Sequence, residues 1–526
     1  MKVLITEPLS EEGTQFLEGQ SDLEICYRPG PTHQDLIGAI ENADALIVRS
    51  RTQVTANVID AAERLRGIGR AGAGVDNIDL DTATRKGVVV MNTPGGNSIS
   101  VAEHTLALIL ALARKIPTAD ASLRSNRWDK GDLVGLELHD KNLGILGLGK
   151  IGSIVARQAL AFQMKIWAYD PFVSEEYASD LGVNLASLEE VLKQADFVTL
   201  HLPLNDSTRH VIRKQTLRLM KKGSLLINTA RGDLIRDPDL ADALEASHLA
   251  GAALDVFSGE PHIHPRLLNS DKTIVTPHIA ASTVEAQAKV GLDIARQVTD
   301  FLKKQVILNA VNFPSMSHKA LARILPYLRL GEGLGTFAGQ ISRIRISEIG
   351  IRYYGELTQL DYKPITNYIL KSILRPVLSE EINEVNARNY ARDRGIAILE
   401  TVSSRERSYS NLISLQLRSR TQTEWIEGAI LRHGNLRLVS IDGIPLEIQL
   451  ETNMLFIRNQ DTPGVIGQVG TILGRAGVNI ASFVLGRDES RPYAVGVVNT
   501  DTPLADQVIE EIRAVPAVQF AQLVRW

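Results

Sequence analysis

The sequence predicts an α/β protein in which two doubly wound domains are followed by an α+β domain and a small βαββαβ module. Three observations carry this. Short apolar runs alternate with helical segments from the first residues to about residue 279, the pattern of parallel sheets with helical crossovers. A glycine-rich turn joins a strand to a helix in the middle of that stretch. The last 75 or so residues run strand, helix, strand, strand, helix, strand.

The bulk properties set the limits. At 526 residues, a prior of about 150 residues per domain gives three or four domains. A hydrophobic content of 44% and a charged content of 22% are ordinary for a globular protein. The net charge of −4 argues against nucleic acid or an acidic membrane surface as the main partner, since both demand a basic face. The single cysteine, Cys26, excludes an intramolecular disulfide and is at home in a reducing compartment. The N-terminus reads as a strand without a signal-peptide pattern. The most apolar run, Val101 to Lys115, is too short to span a bilayer and contains Glu103 and His104. A cytoplasmic protein is expected.

Along the chain, Lys2–Thr6, Ala45–Arg49, Gly67–Arg70 and Val88–Asn92 read as the strands of a first parallel sheet, and Leu23–Tyr27 as another strand. After the loop Thr93–Ser98 a long helix begins, with Ser100 and Glu103 at capping-box spacing. A second α/β unit opens at Asn142–Leu146, and a helix over roughly Thr283 to Lys303 follows it. Val311-Asn312-Phe313-Pro314-Ser315 reads as a linker. From about Met316 to Gln449 arginine increases and no catalytic constellation is visible. The final module is expected as Met454–Arg458, Val465–Arg475, Asn479–Leu485, Tyr493–Asn499, Leu504–Ala514 and Val518–Val524, a ferredoxin-like arrangement.

Gly147-Leu148-Gly149-Lys150-Ile151-Gly152 matches G-x-G-x-x-G, with an apolar strand before it and a helix, Ser153–Ala161, after it. The glycines permit a tight turn and close backbone approach, and the helix N-terminus offers free N–H groups to a pyrophosphate. Eighteen residues past Gly152, after the strand Lys165–Tyr169, stands Asp170. A carboxylate there accepts hydrogen bonds from ribose hydroxyls and repels a 2′-phosphate, which favours NAD over NADP.

Three further segments place a charged or titratable residue in a small or apolar setting: Asn228-Thr229-Ala230-Arg231-Gly232, Leu254–Pro261 containing Asp255 and Glu260, and Thr276-Pro277-His278-Ile279-Ala280. Each follows a strand-like run, and ligands of open α/β sheets bind at the carboxyl ends of strands. With the glycine loop, these segments resemble the D-2-hydroxyacid dehydrogenase family over residues 1–314. The resemblance implies two Rossmann-like domains and makes Arg231, Glu260 and His278 the catalytic three. An imidazole suits abstraction of a hydroxyl proton, a neighbouring carboxylate orients it, and an arginine fork binds a carboxylate and polarises a developing carbonyl. It also implies that Asp255 lies beside the nicotinamide. Lys150, Ile151, Leu202, Thr229 and Ala230 take positions resembling the family's cofactor-contacting backbone. His262 and His264 beside Glu260 are read as loop histidines and no metal is called for, because hydride transfer to NAD needs none.

The segments Arg49-Ser50-Arg51-Thr52 and Gly69–Asn77 resemble the anion-holding segments of phosphoglycerate dehydrogenases. Arg49 and Arg70 are carried over as substrate ligands, with Arg51 a third candidate and Asn92 and Asn97 lining the same cleft. The resemblance implies 3-phosphoglycerate as substrate. Arg458–Gly467 and Ala476–Ala481 look like an ACT domain, the middle segment (Gly355-Glu356-Leu357, Val385-Asn386-Ala387) like the extra domain of the long-form enzymes. Asn459, Asp461 and Asn479 match the positions that would hold a serine effector, while Arg458 stands where a His is frequent.

The expected division is 1–97 with 282–314 for the substrate, 98–281 for NAD, 315–450 intervening and 451–526 ACT. A homo-oligomer is expected, dimer or tetramer. The competing readings are a dehydrogenase of glycerate, lactate or another 2-hydroxy acid, and a nicotinamide-sensing corepressor or scaffold.

Overall fold

The computed structural model describes residues 1–314, 318–375, 382–405, 407–431 and 434–526. The start of the middle region expected at Met316 lies outside the described residues.

Five parallel strands form the first sheet, in spatial order Glu24–Tyr27, Lys2–Ile5, Ala45–Val48, Gly67–Arg70 and Val89–Met91. Their near-continuous apolar character follows from burial on both faces. One face is covered by a helix from far downstream, Val284–Lys304, whose Ile294, Val298 and Phe301 join Val3, Ile5, Ala45 and Ile47 in one core. Each such side chain contributes about 1.5–3 kcal/mol. Gly67 and Gly69 explain the close fit. A Cβ on Gly67 would come within 2.8 Å of the Phe301 ring, and one on Gly69 within 2.6 Å of Val298.

Seven parallel strands form the second sheet, in spatial order Thr273–Val275, Gly251–Leu254, Leu225–Asn228, Phe197–Leu200, Asn142–Leu146, Lys165–Tyr169 and Asn184–Leu185. Strand order reverses between Asn142–Leu146 and Phe197–Leu200, which opens a crevice at their carboxyl ends. The long helix Ser98–Ala113 leads from the first sheet into this unit. The strands end within a residue or two of where the sequence places them.

Two local expectations fail. Ser100 lies inside the helix and caps nothing. The N-cap is Asn97, with no side-chain cap bond, and the Ser100 hydroxyl instead pairs with that of Thr283 at 2.7 Å. Nor do residues 311–313 behave as a linker. Val311 N–H donates to Val90 O at 2.7 Å, the Asn312 side chain accepts from Val90 N–H and donates to Val88 O, and Phe313 is buried in the first core. Ser315 lies outside the described residues.

The third sheet has Ala397–Ser403 at one edge, parallel to Glu348–Tyr354, and then four antiparallel additions ending at Ile444–Gln449. Asn383 donates to Gly87 O at 2.8 Å, and Val385 enters the first core, so this region docks on the edge of the first unit. The fourth sheet, in order Ile480–Gly486, Tyr493–Thr500, Asn453–Gln460, Val518–Arg525, is antiparallel, with the helices Val465–Arg475 and Asp506–Arg513. Its Phe456 meets Phe337 edge-on at 5.8 Å. Among the described residues no helix is long and apolar enough to cross a membrane.

Candidate active site

The crevice of the second sheet faces the carboxyl ends of the first, and the chemistry-bearing residues gather between them. Gly147 turns at φ 99°. A Cβ there would sit 2.7 Å from His201 O and 3.0 Å from Leu202 N, and one on Gly152 would strike Gly147 O at 2.0 Å. Gly149 is the N-cap of the helix Lys150–Ala161 and has open space on its Cβ side. The first glycine therefore permits the turn, the third lets the helix close on the strand, and the middle one leaves room for a ligand beside free helical N–H groups. Leu202 belongs to this loop through its backbone, its side chain being buried.

Asp170 ends the strand Lys165–Tyr169. It accepts Leu148 N–H on one oxygen and Phe172 N–H on the other, both at 2.9 Å. The carboxylate is thus fixed against the glycine loop. Lys150 reaches across the crevice, with Nζ 3.5 Å from Pro94 O, and Ile151 is half-buried in the same first turn. A cavity of about 470 Å³ between Lys150, Arg157 and the Pro94–Gly96 loop continues this space. The set fits a dinucleotide: a loop a Cβ would fill, a helix N-terminus and an acidic strand end.

Asn228 organises the next loop. Its amide donates to Arg231 O at 2.8 Å and accepts Ala230 N–H at 3.0 Å. Thr229 is buried and its hydroxyl pairs with that of Thr105 at 2.8 Å. Arg231 leaves this loop toward the first unit, one-third exposed, with Nε 2.9 Å from Asp76 Oδ2 and Nη1 donating to Ala230 O at 2.7 Å.

His278 Nδ1–H donates to Glu260 Oε2 at 2.8 Å. Glu260 Oε1 also accepts Phe257 N–H at 3.0 Å. The Glu260 hydrogen bond raises the imidazole above its ordinary pKa of 6.5, partly offset by burial. Burial pushes the Glu260 carboxyl up, but the bonds from His278 and Phe257 outweigh it and leave the group below its usual value. His278 holds a left-handed conformation at φ 54°, a strained posture for a residue with a side chain.

Asp255 anchors the segment that carries His278. The residue is buried, accepts Thr276 Oγ1–H at 2.6 Å and the N–H groups of Ile279 and Ala280 at 2.9 Å, and lies 3.5 Å from His104 Nε2. Burial pushes its pKa up and these donors outweigh it, leaving the carboxylate ionised. Asp255 pins both sides of His278, whose own N–H donates to Asp255 O at 2.9 Å, and so stabilises its left-handed turn.

On the facing wall, Glu7 accepts the backbone N–H groups of Arg49, Arg51 and Thr52, and Asn77 donates to Arg49 O and Thr52 O. The Arg49–Thr52 loop is thereby rigid, with Arg51 exposed and Arg49 half-buried. Arg70 lies deeper. Its Nε is buried without a protein partner, and burial, then repulsion from Arg231, pushes its pKa down to about 10. A buried donor in want of an acceptor is the signature of a site for an anion. Asn92 donates to Ala73 O at 2.6 Å, and Asn97 Oδ1 is buried and unpaired. Sequence reasoning overlooked Asp76, Glu7, His104 and Gly74. Asp76 was visible as an acidic residue inside a loop assigned to anion binding.

The three serine-site candidates are each engaged within the chain. Asn459 is buried and donates to Gln460 O, Arg487 grips Asp461 through Nε and Nη2, and Asn479 donates to Asp501. Arg458 ties the fourth sheet to the third through Asp442 at 2.7 Å.

Comparison with known proteins agrees with this geometry. Residues 106–280 match the D-isomer specific 2-hydroxyacid dehydrogenase NAD binding domain, residues 323–442 the D-3-phosphoglycerate dehydrogenase intervening domain, and residues 453–517 the ACT domain. The chain is 39% identical to the D-3-phosphoglycerate dehydrogenase of Bacillus subtilis, covering 99% of both chains. It is 41% identical to that of Methanocaldococcus jannaschii, covering 99% of this chain and 98% of the relative. Among solved structures, D-lactate dehydrogenase from Aquifex aeolicus complexed with NAD and lactic acid superposes with a TM-score of 0.53 at 30% identity, over 60% of this chain and all of the other. The chain belongs to the D-3-phosphoglycerate dehydrogenase family.

Proposed function

We propose that this protein oxidises 3-phosphoglycerate to 3-phosphohydroxypyruvate with NAD, the first step of L-serine biosynthesis from that acid. The observation that carries it is the His278–Glu260 pair at 2.8 Å facing a wall that holds Arg49 and the unpartnered Arg70 Nε.

His278 takes the proton of the substrate hydroxyl on the ring nitrogen that Glu260 leaves free. Glu260 fixes the ring and stabilises its protonated form. Arg231 binds the carboxylate and stabilises negative charge on the oxygen that becomes the carbonyl. Arg49 and Arg70 bind the phosphate, with Arg51 at the rim and Asn92 and Asn97 shaping the cleft. Bound NAD supplies the hydride acceptor. Gly147, Gly149, Lys150, Ile151 and Gly152 would hold its pyrophosphate, Asp170 its ribose, and Leu202, Thr229, Ala230 and Asp255 its nicotinamide half. Closure of the two sheets on each other excludes water.

The division 1–97 with 282–314, 98–281, 315–450 and 451–526 is the working assignment. Its support is the packing of Val284–Lys304 on the first sheet. A homo-oligomer through the cofactor domain is favoured by exposed apolar side chains along residues 116–136, with Trp128 81% and Val134 76% accessible. L-Serine at Asn459, Asp461 and Asn479 is the candidate effector, and the cytoplasm the expected location.

The test is NADH formation with 3-phosphoglycerate, D-glycerate and D-lactate, with product trapped because oxidation is uphill. Selective turnover of 3-phosphoglycerate supports the reading. Preference for an unphosphorylated acid would overturn the substrate, and NAD binding without any turnover would favour the scaffold reading.

A further inference from the structure

The contact between Arg231 and Asp76 joins the two walls of the cleft. Arg231 stands at the carboxyl end of Leu225–Asn228 in the second sheet, and Asp76 on the loop after Gly67–Arg70 in the first. Asp76 Oδ2 lies 2.9 Å from Nε, and Nη1 is turned back onto Ala230 O. A guanidinium carries five N–H groups in one plane, so the Nη1 hydrogen bond to Ala230 O and the ion-pair contact with Asp76 together orient the group and leave donors for a ligand.

A second, independent feature serves the same posture. A Cβ on Gly74 would fall 2.3 Å from Arg231 Nη2 and 2.9 Å from Asp76 Oδ2. The guanidinium therefore lies against main chain where a side chain would displace it. Gly74 has no positive φ, so the glycine is required by this neighbour and not by its backbone angle. Gly72, at φ 146°, leaves the same kind of room for Arg70, whose Nη1 would lie 1.6 Å from an added Cβ. The loop is held in place independently, since Asn77 is bonded to Arg49 O and Thr52 O.

We propose that Asp76 is a positioning residue for the reaction: from the substrate-side wall it holds Arg231 in the plane in which its remaining N–H groups meet the substrate carboxylate and the forming carbonyl oxygen. The inference rests on the reading of Arg231 as the substrate's carboxylate ligand. Its consequence is that Arg231 is fully set only when the two walls are together, so closure and the readiness of the arginine are one event. A carboxylate that merely filled an empty anion site would act in the opposite sense, competing with substrate and raising KM.

The experiment uses the full-length protein as wild type, Asp76→Ala, Asp76→Asn and Gly74→Ala. It measures kcat and KM for 3-phosphoglycerate, NAD affinity, and the rate at which phenylglyoxal labels Arg231, read by peptide mass spectrometry. Asp76→Ala is expected to lower kcat by about 10- to 100-fold, the scale of a misplacement near 1 Å, with KM and NAD affinity within about threefold. Asp76→Asn keeps an acceptor and should recover part of kcat, which a merely structural role would not produce. Gly74→Ala should reproduce the kcat loss. Labelling of Arg231 should be several-fold faster in Asp76→Ala. A fall in KM with kcat unchanged would show Asp76 to be a competitor and overturn the proposal, as would unchanged kcat or equal labelling rates. Wild-type protein without turnover on 3-phosphoglycerate, D-glycerate or D-lactate would bring down the functional reading itself, and the positioning role with it.

Discussion

The two halves of the molecule treat their charged groups differently. In the parallel-sheet half, one left-handed residue and two buried atoms without a protein partner belong to the cleft: His278 at φ 54°, Arg70 Nε and Asn97 Oδ1. In the C-terminal half ion pairs join neighbouring elements: Arg388 grips Glu400 with both Nη atoms, Arg458 holds Asp442, and Arg487 holds Asp461, while the buried atoms without a partner, among them Arg437 Nε and Glu424 Oε2, are scattered over the third sheet. Groups paired in this way give a scaffold its shape, whereas groups held in readiness cost stability and are retained for a ligand. The same contrast appears in the structural comparison, where the likeness to D-lactate dehydrogenase covers 60% of this chain. The chemistry is common to that family, and the remainder is an addition.

This contrast can be broken in several places. The largest effect is expected from His278→Ala, which removes the base. Turnover should fall by about 10²- to 10⁴-fold while NAD binding, followed by fluorescence titration, persists. Loss of NAD binding together with turnover would mean that the residue supports the fold and not the reaction. Next comes Gly152→Ala, whose Cβ would collide with Gly147 O at 2.0 Å. Overpacking of this kind costs about 1–3 kcal/mol, so Tm should drop and NAD affinity weaken at least about tenfold.

Glu260→Gln probes the pair by pH. The Glu260 hydrogen bond raises the His278 pKa, and only the neutral imidazole accepts a proton. Oxidation by the wild type should therefore fall as pH drops through a value above 6.5. In the variant the acidic limb of kcat/KM should move to lower pH, with kcat at least about tenfold smaller. An unmoved limb would exclude His278 as the titrating base. The smallest effect belongs to the other half. Arg458→Met should lower stability by about 1 kcal/mol in denaturant titration and leave kcat unchanged, sharpening the division between scaffold and site.

Much of this was legible in the sequence, for physical reasons. The glycine loop is largely local: Gly147 takes a positive φ and a Cβ on Gly152 would meet Gly147 O, although the close approach at Gly147 comes from His201 at the end of a separate strand. Strand limits came through because burial on both faces writes continuous apolar runs. The order of Arg231, Glu260 and His278 was readable through a resemblance, and their convergence needed the sheet. The failures are contacts between distant segments. Ser100 has capping spacing but finds Thr283 instead. Asn312 looks like linker and completes an edge of the first sheet. Asp76 was passed over because its partner comes from the other wall.

The measurement that tests the central claim most directly is the ratio of kcat/KM for 3-phosphoglycerate to that for D-glycerate, in wild type and in Arg70→Met. The account predicts a ratio well above one for the wild type, collapsing by about 10- to 100-fold in the variant, since a charged hydrogen bond to phosphate contributes about 1.5–3 kcal/mol, with turnover of D-glycerate little changed. A ratio that survives the substitution would contradict the account, placing recognition of the phosphate away from the buried Arg70 Nε that no protein group satisfies.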